Sequence, residues 1–174
     1  MKKFGILAVL LLGLSSAYAA DQESTVGKPE DDLMTMIACT AGGLALLHRD
    51  ITVASSISSL SETHQTPQLA LLITSYKNMA NDERQRVDSY MQLIRHDIVP
   101  LIAQANDLKA DSIEQKVSEL LSQASFKLAV ALGNPMHTIE DENRLNKLLG
   151  DKSNSCESLA NMMRAHYSTQ PQNG

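Results

Sequence analysis

The sequence predicts an all-α fold, a single-domain helical bundle of about six helices closed by one long-range disulfide. Three observations predict it. Apolar residues recur at i, i+3, i+4 and i+7 over most of the chain, and no stretch alternates convincingly with period two. Two cysteines, Cys39 and Cys156, remain in a chain that begins with an export signal.

That signal has three parts. Lys2 and Lys3 give a positive start, Phe4 to Leu14 is an unbroken apolar and glycine run, and Ser15, Ser16, Ala17, Tyr18 and Ala19 end in small residues. This is the pattern of a cleavable secretory signal, with the cut expected between Ala19 and Ala20. The apolar run is eleven residues, too short for a bilayer, which takes roughly 20. No cysteine sits at the cut, so no lipid anchor is expected there. The expected product is a soluble protein with no membrane insertion after cleavage, located in a bacterial periplasm. The organisation read from the chain is a signal over residues 1–19, a flexible leader over 20–30, a bundle domain over 31–168 and a loose tail over 169–174.

The leader, polar and carrying Gly27 and Pro29, gives way to a helix opened by Pro29, Glu30, Asp31 and Asp32, with proline early and acids where the dipole favours them. Leu33 to Leu47 is apolar apart from Thr35 and Thr40, so this helix should be central. Asp50 to Glu62 carries Val53, Ala54, Ile57 and Leu60 at helical spacing, against a serine-rich background of low helix propensity. A turn is expected at His64 to Thr66, and Thr66-Pro67 is a helix start. Leu69, Leu72, Ile73, Tyr76 and Met79 then share a face.

The most regular stripe follows: Val87, Tyr90, Met91, Ile94, Ile98, Leu101, Ile102 and Ala105. Pro100 lies inside it and should kink the helix. The apolar phase runs unbroken from Leu69 to Ala105, which one long bent helix would satisfy, but Asn81-Asp82 offers a natural break. After a turn at Asn106 to Ala110, Asp111-Ser112-Ile113-Glu114 reads as a capping box. Ile113, Val117, Leu120, Leu121, Ala124, Leu128 and Leu132 form the next face, with the end from Phe126 onward expected to be deeply buried. Gly133-Asn134-Pro135 stops that helix. A short helix opened by Thr138, with Leu145, Leu148 and Leu149, precedes a last one with Leu159, Ala160, Met163 and Tyr167.

Composition narrows the function. Without Lys2 and Lys3 the chain keeps 13 basic against 20 acidic residues, a net charge near −7. An acidic surface repels phosphate backbones, so no nucleic acid is expected as partner. Only Tyr76, Tyr90, Phe126 and Tyr167 remain as aromatics, too few for base stacking. In an oxidising compartment Cys39 and Cys156 are expected to pair.

No catalytic constellation is present. There is no Gly-x-Ser-x-Gly elbow, no two histidines fall at i, i+3 or i+4, and Gly42-Gly43 lies in an apolar helix rather than a phosphate loop. Met34, Met36, Met162, Met163 and His166 are soft ligands that would suit copper or haem. Helix geometry with the cysteines clamped sets Met36 and His166 roughly 10–11 Å apart in height, poor for haem, so neither cofactor nor metal is expected. The reading is a non-catalytic periplasmic interaction protein. Immunity proteins that neutralise secreted cell-wall hydrolases share this general profile. Adaptors or chaperones of secretion machinery share it too, and a helical-bundle haem or copper carrier is the third class. The expected partner is a protein, basic if it meets Asp82, Glu83, Asp88, Asp97 and the run Glu140, Asp141 and Glu142.

Overall fold

The computed structural model describes residues 26–63, 66–132 and 155–169. All of its regular elements are helical among the described residues. They are α1 (Pro29–Thr63), α2 (Pro67–Gln92), a π-helical segment (Leu93–Ile98), α3 (Val99–Asn106), α4 (Ala110–Leu132) and α5 (residues 155–168). Since α2, the π segment and α3 run on without a break, these make four helical rods among the described residues, not about six.

Two expected boundaries are absent. Leu33–Leu47 and Asp50–Glu62 are one helix of 35 residues, because no proline interrupts them and the hydroxyls do not compete with the helix. Instead Thr52, Ser56 and Ser59 each donate to the carbonyl four residues back, at His48, Thr52 and Ser55. Asn81-Asp82 likewise does not break α2, and the alternative of one long helix is the one found. The helix expected after Thr138 lies outside the described residues, as do the signal and most of the leader.

Helix starts follow the sequence more closely. The Thr66 hydroxyl accepts from the Leu69 N–H at 3.4 Å, with Pro67 in the first turn. The capping box falls one step inside its helix: α4 begins at Ala110, with Asp111 in the first turn. Glu114 stands 3.9 Å from Arg95. Pro100 acts through the turn before it, where six residues widen into a π-helix and the Val99 N–H reaches back to the Ile94 carbonyl. That wider turn keeps Leu93, Ile94, Ile98 and Val99 all buried. Asp107, in the left-handed region at φ 53°, ends α3.

As expected, α1 is central, packing on α2, α4, the π segment and α3. The core is aliphatic and joins Met36, Ile37 and Ala41 to Tyr90, Leu93, Ile94, Ile98 and Val99, to Val117, Leu121 and Ala124 of α4, and to Ala160, Met163 and Tyr167 of α5. The buried stripe of α4 stops at Ala124. Phe126 and Val130 are 70% and 60% exposed, so the described C-terminal part of this helix is not deeply buried.

One covalent bond and several polar ties hold α5. Cys39 and Cys156 form a disulfide with Cα atoms 5.7 Å apart. The Tyr167 hydroxyl donates to the buried Asp32 carboxylate at 2.5 Å, and the Gly27 N–H donates to the same oxygen at 3.0 Å. The Arg164 guanidinium donates to the Ser89 carbonyl at 3.2 Å and to its hydroxyl.

Candidate functional site

Beyond the core, α1 and α2 continue side by side as a two-helix arm. None of Pro67–Met79 is buried, and in the distal part of α1 Ala54 is the one buried side chain among those described. The arm carries half of the large exposed apolar residues among those described: Leu71 at 71%, Leu72 at 46%, Ile51 at 45% and Met79 at 40%. A pair of helices has too little interior to cover such side chains by itself. Leu72 and Met79 belong to the face expected from the sequence, but α1 covers only part of it. Leu71 lies off that face, and the run Leu71-Leu72-Ile73 was the signal, since three successive apolar residues cannot share one side of a helix.

Between the arm helices runs a groove of about 520 Å³. It is lined by Ile51, Ala54, Ser55, Ser58 and Ser59 of α1 and by Lys77, Ala80, Asn81 and Arg84 of α2. At the base of the arm the helices approach closely: a Cβ on Gly43 would stand 2.8 Å from Val87 Cγ2, whereas one on Gly42 would meet nothing within 4 Å. Beside Gly43 sits Glu83, buried and paired with Arg86 at 2.6 Å. Burial raises its carboxyl above the usual range, and the Asp50 and Asp82 charges add to this while Arg86 opposes it. The buried Asp50 accepts from Arg49 at 2.9 Å.

A second, smaller cleft of about 320 Å³ separates α2 from α5. Asp82, Gln85, Arg86 and Ser89 face Glu157, Asn161 and Arg164 across it. Arg86 lies 3.9 Å from Glu157, and Arg164 bonds Ser89 and Asn161, so these groups mainly tie the two helices together. Tyr90 lines the same cleft, its hydroxyl buried with no partner among the described residues. Burial, then the Glu157 charge, raises its phenol above the ordinary value.

The two buried tyrosines should respond oppositely to loss of the hydroxyl. Tyr167→Phe leaves Asp32 without a charge-assisted donor and is expected to cost about 1–2 kcal/mol in urea unfolding. Tyr90→Phe removes an unsatisfied group and should be neutral or slightly stabilising. The Tyr167 phenol is held well above its ordinary value, first by burial and then by the hydrogen bond to Asp32. The folded state therefore favours the neutral phenol, a contribution complete below about pH 10 and lost as pH rises further. Wild-type stability should fall more steeply above pH 10 than that of Tyr167→Phe.

The acids singled out from sequence are dispersed. Asp82 and Asp88 are exposed on α2, Glu83 is buried and paired, and Asp97 is half-buried in the π segment. Asp82 and Asp88, six residues apart, point about 120° apart around the helix. Glu140, Asp141 and Glu142 lie outside the described residues. Among the soft ligands, Met36 and Met163 are core residues, Met162 is 45% exposed, and the His166 ring stands edge-on to Tyr167 with centroids 5.1 Å apart. Among the described residues no three His, Cys, Asp or Glu side chains converge on a metal position, and no helix is long and apolar enough to cross a membrane. Compared with known proteins, the chain matches no family model, no curated protein and no solved structure.

Proposed function

We propose that the protein is exported, loses its first 19 residues and acts without catalysis by binding another protein of the cell envelope. An immunity-type inhibitor of a secreted or envelope protein is the concrete form of this reading. The carrying observation is the arm, which exposes Leu71, Leu72, Ile51 and Met79, and large apolar side chains left in the open on one element suit a protein interaction site. The disulfide between Cys39 and Cys156 suits an oxidising compartment and supports the export reading. An adaptor or chaperone of a secretion system would use the arm in the same way. Met36 and Met163, at 0% and 1% exposure, are taken up by the core, which gives little support to a haem or copper carrier.

Photo-crosslinking in the native host tests the reading. A crosslinking residue at Leu71 or Ile51 should capture one defined protein, while one at Leu108, 52% exposed in the turn after α3, should not. Equal capture at all three positions, or none at any, would sink the proposal.

A further inference from the structure

We infer that the arm groove receives an amphipathic helix from the partner, and that this helix carries two acidic residues seven positions apart. The inference deepens the interaction reading and rests on it. Its basis is shape together with charge complementarity. Two antiparallel helices with a groove between them are the setting for helix-in-groove recognition, in which a third helix lays its apolar face along the seam. Ala54, Ser55, Ser58, Ser59 and Ala80 are small, so a third backbone can come close, and Ile51 on the rim is 45% exposed.

Charge selects the occupant. The chain is acidic overall, yet among the described residues the groove's charged lining is Lys77 and Arg84, with no carboxylate. Among the described residues, Arg49, Arg86, Arg95 and Arg164 each engage an acid or a hydrogen-bond acceptor, whereas Arg84 has no such partner. Lys77 and Arg84 are both exposed and lie two turns apart, about 10.5 Å along one side of α2. Acids at i and i+7 of a helix lying alongside meet both cations at once. An occupant with basic flanks would be repelled.

The test uses the mature, disulfide-bonded chain and a fluorescent 18-residue helical peptide of about five turns. Its apolar face is Leu and Ala, with Glu at two flanking positions seven apart; the control carries Lys at those positions. Anisotropy should show the Glu peptide binding at least about tenfold more tightly than the Lys peptide, with the gap narrowing as salt rises. Lys77→Glu combined with Arg84→Glu should reverse the preference at unchanged thermal midpoint. Equal affinities, a preference that survives the reversal, or no binding of the Glu peptide at about 1 mM would each overturn the inference. So would sedimentation showing a dimer that the same reversal dissolves, which assigns the groove to a second copy. If the crosslinked cellular partner is retained by the doubly reversed variant, the interaction reading stands and the groove assignment falls.

Discussion

Replacing Cys39 or Cys156 with serine is expected to lower the thermal midpoint by roughly 10–15 °C. The two residues are 117 positions apart, so the bond removes the closure entropy of a very long loop from the unfolded chain. The chain-entropy relation gives about 4–5 kcal/mol for such a loop. That is a large part of the 5–15 kcal/mol that holds a typical domain folded. The effect should also be local. α5 buries only Ala160, Met163 and Tyr167, and its other ties include Tyr167 to Asp32, Arg164 to Ser89 and Glu157 to Arg86. Without the covalent link, α5 should exchange its amide hydrogens well before α1 does. A midpoint shift of only a degree or two, checked by calorimetry, would mean that the bond contributes little to stability.

The second large effect comes from the neighbouring glycines of α1. Gly43→Ala is expected to destabilise by about 1–3 kcal/mol, because the new methyl would lie 2.8 Å from Val87 Cγ2. Valine is stiff at χ1 in a helix and cannot swing aside, so the helices must move apart. Gly42→Ala meets nothing within 4 Å. It should stabilise by up to about 1 kcal/mol, the helix-propensity gain of alanine over glycine. Opposite signs at adjacent positions in urea unfolding would establish Gly43 as the crossing point of α1 and α2. Adding Val87→Ala to Gly43→Ala should recover part of the loss through relieved overlap.

Much of this fold was readable in the sequence, for identifiable reasons. The Val87 to Ile102 stripe follows helical period and supplies most of the buried side chains of the second rod. The all-apolar stretch around Met36 and Ile37 is where the central helix passes. Thr66-Pro67 marked a helix start because both residues act locally, and the cysteine pair followed from its being the only one in the chain. Helix continuity was less readable. The serines of α1 argue against a helix by propensity, and only the structure shows them bonded back to its own carbonyls. Periodicity also reports which residues are alike, not whether a partner covers them. Leu72, Met79, Phe126 and Val130 look like core residues in sequence and are exposed in the fold. The groove escaped sequence reading because Lys77 and Arg84 stand among small, unremarkable residues until α1 is laid beside them. The acids drew notice through number alone, although Glu83 is committed to Arg86 inside the fold.

The most direct test of the account is native mass spectrometry of the protein isolated gently from the envelope of its own host. The expected species is a chain beginning at Ala20, lighter by two hydrogens than its reduced form, and held in a defined ratio to a second protein. A chain that keeps its first 19 residues, carries two free thiols, or arrives with haem or copper in place of a protein partner would contradict it.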